Sequence, residues 1–240
     1  MDRKKLKIMA LGGHIGDMEL TCGKLLAKHA VMGDSIMTVA LTAGERGAPK
    51  NYPVADFRSM NVKGAEKFAK KLGGESVVFD YRDGELPDDE KIRFEVCDLM
   101  RQFRPDVVIT HWKKSMHKDH MTTSRVVNDG LFYASLGTIE RELDACCPRG
   151  PFYAQNWEDS IDFTPYIYFD VTEGYALWEE AIKNLWLSTN SSFKYLEYYD
   201  ALSRENGVRI GRQRAEAYAI NPEGMHLVYN SLDNLFAPKR

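Results

Sequence analysis

Four short apolar runs recur along the first half of the chain: 5–13 (KLKIMALGG), 35–44 (SIMTVALTAG), 76–84 (SVVFDYRDG) and 106–112 (DVVITHW). Helix-length segments separate them, at 17–33, 56–74 and 89–105. Apolar runs of this length bounded by turn residues read as buried strands. Strands alternating with helices imply right-handed βαβ units and a parallel sheet covered on both faces. In such sheets, ligands bind outside the carboxyl ends of the strands. The segments that follow the four strand ends are GGHIGDME, TAGERGAP, YRDGEL and THWKKSMHKDH. All are charged or carry histidine, and they are expected to converge on one crevice.

Beyond Thr123 the pattern loosens. Residues 122–135, 174–188 and 190–207 read as helices and 164–173 as a strand, with Asp17 a plausible N-cap of the first helix and Gly33 its C′ residue. No Pro/Gly/Ser-rich linker interrupts the 240 residues, so residues 1–240 read as one domain. A net charge of −3 excludes a general basic field for nucleic acid. The longest apolar runs fall far short of the about 20 residues that span a bilayer. The basic N-terminus is followed only by IMAL, too short for a secretory h-region. The four cysteines form no CxxC pair, and Cys146 and Cys147 are adjacent, so free thiols in a reducing cytoplasm are expected.

Two clusters carry the chemistry. His14, Asp17 and Glu19 lie where the first strand gives way to a helix; His111, His117, Asp119 and His120 follow the fourth strand. A catalytic zinc takes three protein ligands, commonly imidazole and carboxylate, and keeps a position for water. His14, Asp17 and His120 make such a set. His117 and Asp119 then act as orienting or acid–base groups. Each residue alone has a plainer reading: Asp17 as a cap, His14 as a turn residue, His111 as structural, His29 and His226 as ordinary histidines. The conjunction at strand carboxyl ends favours the site. The glycines do not fit G-x-G-x-x-G, and CGK is followed by Leu25, so nucleotide binding is weakly supported.

The chain resembles the PIG-L/LmbE-like deacetylase family, whose A-H-P-D-D-x-E and H-x-D-H motifs correspond to Gly13-His14-Ile15-Gly16-Asp17-Met18-Glu19 and His117-Lys118-Asp119-His120. LTAGERGAP, DYRDGEL, RPDVVITHW and RQRAEAYAI are similar to further family segments, and Arg58 stands where the family helix carries an arginine. The resemblance implies a Rossmann-like α/β three-layer sandwich with a mainly parallel sheet. It implies a zinc-dependent hydrolase that removes an acetyl group from N-acetylglucosamine-type substrates, with His14, Asp17 and His120 as metal ligands. Iron(II) suits two histidines and one carboxylate equally. His117 and Asp119 correspond to a pair that polarises or protonates the tetrahedral intermediate. Arg46, Arg58 and Glu45 become candidate substrate contacts, and a homo-oligomer, trimer or hexamer, becomes the expected assembly.

One departure stands out: the family's general-base aspartate is Gly16 here. Three outcomes follow. The first is an active hydrolase with a substitute base, Glu45 or Asp119 before Glu19. The second is a metal-containing sugar- or acyl-binding protein without turnover, and the third is altered chemistry in the room left by glycine. The first is the reading adopted. Aromatic residues in 143–170 suit sugar stacking, a subunit contact or simple core filling; Arg209, Arg212 and Arg214 suit an anion clamp or a solvated face.

Overall fold

The structure, a computed structural model, describes residues 3–221. Strands β1 (Lys7–His14), β2 (Ser35–Thr42), β3 (Glu75–Tyr81) and β4 (Val107–Thr110) form where the apolar runs predict them. Two further strands, β5 (Arg149–Ala154) and β7 (Ala215–Ile220), join β6 (Ile167–Asp170) to complete one seven-stranded sheet in the order β3-β2-β1-β4-β5-β7-β6. The first five of these pair in parallel; β7 runs antiparallel to both β5 and β6. The expected α/β sandwich with a mainly parallel sheet is therefore present.

Alternation along the strands sorts side chains into two cores. Ile8 and Ala10 of β1 with Ile36 and Ala40 of β2 face one layer, which holds α2 (Gly23–Val31), α3 (Val54–Lys71), α6 (Tyr175–Ile182) and α8 (Tyr195–Arg209). Met9, Leu11, Met37, Val39 and Leu41 face the other, built from α4 (Glu90–Phe103) and α5 (Lys118–Ser135). Because β1 lies between β2 and β4, crossovers leave its two sides in opposite directions. The carboxyl ends of β1 and β4 thus border the switch-point crevice of a doubly wound sheet.

Several elements depart from expectation. The helix over 17–33 is two helices, α1 (Asp17–Thr21) and α2, broken at Cys22. The break frees the amides of Lys24 and Leu25, which donate to the buried Glu216 carboxylate of β7 at 3.1 and 3.0 Å. The Lys24 ammonium lies 3.7 Å from Glu216 and 3.8 Å from the Trp178 ring centroid, and burial pulls it down to about 8. Gly16, not Asp17, precedes α1 as its N-cap, so Asp17 is released from capping. Residues 174–188 likewise divide into α6 and a short α7 (Trp186–Asn190). Helix α5 starts at Lys118, four residues earlier than expected, because the His117 side chain caps it by accepting the Asp119 amide. All four cysteines are free. Among the described residues no helix is long and apolar enough to cross a membrane.

Candidate metal and active site

The four strand-end loops do converge. A cleft of about 500 Å³ is lined by His14, Ile15 and Asp17 after β1, by Gly44, Arg46 and Gly47 after β2, and by Asp83 and Gly84 after β3. His117 and His120 enter from the start of α5. The opposite wall is Phe57, Trp186, Leu187, Ser191 and Tyr195, and Glu158 joins from the loop after β5.

Asp17 Oδ2 is the focus of the polar wall. It accepts the His14 amide at 2.7 Å and lies 3.2 Å from His14 Nδ1, 3.0 Å from His111 Nε2 and 3.4 Å from His120 Nε2. Burial acts to raise the Asp17 carboxyl, but the imidazoles of His120, His14 and His111 outweigh it and hold it well below the usual carboxylate range. Burial also opposes charge on His120, yet Asp17 and Asp159 lift that imidazole to about 10. Among the described residues, three trios could each hold an ion: His14, His117, His120; Asp17, His111, His120; and His14, Asp83, Asp119. His14 belongs to two of them. Its Nε2 faces Asp83 at 3.2 Å and Asp119 at 3.4 Å without an aligned hydrogen bond.

The remaining sequence candidates separate. Asp119 is fully buried; it accepts the Gly84 amide at 2.6 Å and sits beside His14 rather than the His117 ring. His117 accepts the Asp119 amide at Nδ1, 3.2 Å, which leaves the ring proton on Nε2. Burial lowers His117 below the ordinary histidine value, helped by His14 and His120. Glu45 does not reach the cleft. Its carboxylate accepts the Asp83 amide at 2.9 Å and pairs with Arg58 at 3.3 Å, because the turn 45–47 folds it under the loop after β3. Arg58 also stays outside, held by the Phe79 carbonyl and Asp80. Arg46 does line the cleft, paired with Glu85. Glu19 supports the first loop by accepting the Gly16 amide at 2.9 Å.

Sequence reasoning gave three residues no part in the site: His111, which it read as structural, and Glu158 and Asp159, which it did not single out. His111 is wholly buried, accepts the Gly13 amide at Nε2 and stacks on His120 at 3.9 Å between centroids. Asp159 bridges both rings, and Glu158 stands 3.8 Å from His120 Nε2. Burial raises the Glu158 carboxyl, against the pull of His120. The only local signal was two acidic residues in an aromatic-rich loop. The aromatics pair with neighbouring rings: half-buried Trp157 stacks on Phe193, and half-buried Phe163 packs on Trp112. The three late arginines are engaged elsewhere, Arg209 with Glu205, Arg212 with Asp170 and Arg214 with Asp200. His29 is an ordinary partner of Asp34, and His226 lies outside the described residues.

Gly16 has φ +112°, and a Cβ built on it would lie 2.2 Å from Leu187 Cδ2. The space beside the vacant carboxylate position is occupied by a leucine of the opposite wall.

The 4-oxalmesaconate hydratase of Pseudomonas putida KT2440 is 22% identical across 95% of this chain and 92% of its own length. The solved 4-carboxy-2-hydroxymuconate hydratase of Pseudomonas putida KT2440 superimposes with TM-score 0.85 at 19% identity, over 95% of this chain and all of that one. The N,N'-diacetylchitobiose deacetylase of Pyrococcus horikoshii does so with TM-score 0.78 at 20% identity, over 95% and 88%. Its relatives are thus enzymes of more than one kind, hydratases and a deacetylase. The PIG-L family model, described as GlcNAc-PI de-N-acetylase, matches residues 9–130, and the chain belongs to that family.

Proposed function

We propose that this chain is a metal-dependent enzyme that hydrolyses an N-acyl amide of the N-acetylglucosamine type. The observation that carries the reading is the gathering of Asp17 Oδ2, His14 Nδ1 and His120 Nε2 on the wall of the cleft. The spacings about Asp17 suit a divalent ion, since ligand atoms in a tetrahedral zinc site are about 3.3 Å apart and His14 and His120 lie 3.2 and 3.4 Å from Asp17 Oδ2. The trios already close enough to share an ion pair these residues with others, His14 and His120 with His117, and Asp17 and His120 with His111. An acceptor excess points the same way. His111 Nε2 already accepts the Gly13 amide, yet faces the Asp17 oxygen at 3.0 Å. Zinc suits the set, with iron(II) an alternative. A bound divalent ion would polarise the acyl carbonyl and acidify the attacking water.

The protein groups supply the rest. Glu158 faces the same cleft and would take the water's proton at its carboxylate, the role left empty by Gly16. Glu158, once protonated, would return that proton to the departing nitrogen, and the His117 Nε2–H would hydrogen-bond the tetrahedral oxyanion. Arg46, held by Glu85, is the one guanidinium on the cleft among the described residues and would be the contact for a substrate oxygen.

A second reading, addition of water to a conjugated double bond, is favoured by the near full-length match to a hydratase together with the loss of the base at Gly16. The test loads purified protein with zinc and compares acetate release from N-acetylglucosamine and simple acyl amides with hydration of 4-oxalmesaconate. Acetate release that disappears in His120→Ala supports the hydrolase. Hydration alone shifts the assignment to the hydratase, and neither activity with zinc bound leaves a binding protein.

A further inference from the structure

We infer that Asp159 is a positioning residue that sets the tautomers of two imidazoles at once, holding the Nδ1 proton of each so that His111 Nε2, and His120 Nε2 once it ligates a metal, are the unprotonated nitrogens on the Asp17 side. The inference rests on the metal-site reading above. Asp159 is fully buried; its Oδ2 lies 2.7 Å from His111 Nδ1 and its Oδ1 2.9 Å from His120 Nδ1. A carboxylate offers only acceptors, so both Nδ1 atoms must carry the proton. The second contact of His111 agrees, because its Nε2 accepts the Gly13 amide at 3.0 Å and cannot itself be the protonated nitrogen. The rings stack 17° from parallel, held like two leaves by one clip.

The carboxylate is itself fixed. Asn156 Nδ2 donates to Asp159 Oδ2 at 3.3 Å, and the buried Tyr199 hydroxyl donates to Asn156 Oδ1 at 2.8 Å. The chain Tyr199–Asn156–Asp159 thus runs from α8 to the loop after β5 and on to His111, just past β4, and His120 of α5. A carboxylate behind a ligating histidine is a recurrent device for fixing ring orientation. Here one carboxylate serves two rings. The His120 ring carries the ligand atom, and the His111 ring braces Gly13 at the end of β1.

Asparagine at position 159 keeps the shape but offers one acceptor oxygen and one donor NH₂. One of the two rings must then present an unprotonated Nδ1, which moves its proton to Nε2, on the Asp17 side. Two measurements test this. Imidazole ¹⁵N spectra of the zinc-loaded wild type should show His111 and His120 both protonated at Nδ1. Zinc affinity, read by chelator competition, should fall about 10- to 100-fold in Asp159→Asn, with one ring now protonated at Nε2. A wild-type spectrum with either ring protonated at Nε2 overturns the inference whatever the variant does. So does an Asp159→Asn protein that holds zinc as tightly as the wild type. A wild type that binds no zinc removes the metal reading instead; the His111 tautomer in the metal-free protein then still decides the clamp.

Discussion

Restoring an aspartate at position 16 should destabilise the protein rather than repair its active site. Gly16 has φ +112° and ψ −30°, outside the regions open to residues with a Cβ. Backbone strain of this kind costs about 1–3 kcal/mol. The new Cβ would also lie 2.2 Å from Leu187 Cδ2. That atom ends a rotatable side chain, so relief is partial and the packing penalty falls at the lower end of the overpacking range, about 1 kcal/mol. Together Gly16→Asp should lose about 2–4 kcal/mol, a large share of a typical total of about 5–15 kcal/mol. Urea unfolding monitored by tryptophan fluorescence measures the loss as a lower midpoint at unchanged slope. Adding Leu187→Ala to Gly16→Asp should remove the packing part, measured against Leu187→Ala alone, and leave the backbone part. A loss below about 1 kcal/mol in the single variant would refute the strain argument. An unchanged loss in the Leu187→Ala background would refute the role given to Leu187.

Three other outcomes can be measured. Glu158→Gln should lower kcat by about 10²- to 10⁴-fold while zinc content is unchanged; Glu45→Gln, whose carboxylate lies off the cleft, should cost far less, and the reverse ranking would return the base to Glu45. His120→Ala should abolish zinc binding by metal analysis, whereas Arg58→Ala should bind zinc as the wild type does. Lys24 is held at about 8 by burial against an ordinary 10.5. The folded chain therefore releases this proton first, and between about pH 8 and 10.5 the unfolded chain binds more protons. The contribution of Lys24 to stability must then rise with pH, by about 3 kcal/mol in all. Urea titrations of wild type and Lys24→Met should diverge in favour of the wild type across that window, and a constant difference would contradict the assignment.

The parts of the fold that were legible are those whose signal is local. β1 to β4 announce themselves as apolar runs bounded by turns, and their order fixes where a site must lie. β5 was hidden because RGPFYA carries glycine and proline at its second and third positions inside an aromatic-rich stretch. β7, AEAYAI, was hidden by Glu216, a charge that is buried only because it meets the amides of Lys24 and Leu25 some 190 residues earlier. The same division holds for the site. His14 and Asp17 sit three residues apart, and His117, Asp119 and His120 lie within one turn, so spacing reveals them. Asp159 and His111 touch across 48 residues, and His111 and Asp17 across 94. No pattern in the chain marks such pairs. Glu45 had the right loop and the right chemistry, but the 3-10 turn that carries it directs its carboxylate to Asp83 and Arg58 instead.

The wall made by Trp186, Leu187, Ser191 and Tyr195 differs in kind from the wall it faces. The histidines and carboxylates are anchored to β1, β4, β5 and the first turn of α5, all tied to the sheet. α7 has no buried residue and lends the sheet no strand. Reshaping the cleft for another ligand therefore does not require rebuilding the polar side. The twelve residues 183–194 between α6 and α8, the buried Leu185 apart, can be rewritten, as a jig is changed on a fixed bench, while the imidazole and carboxylate framework keeps its geometry. A scaffold divided in this way can pass between ligand classes by exchanging one surface segment, and a graft of that segment from a relative is the most economical way to change what this cleft accepts.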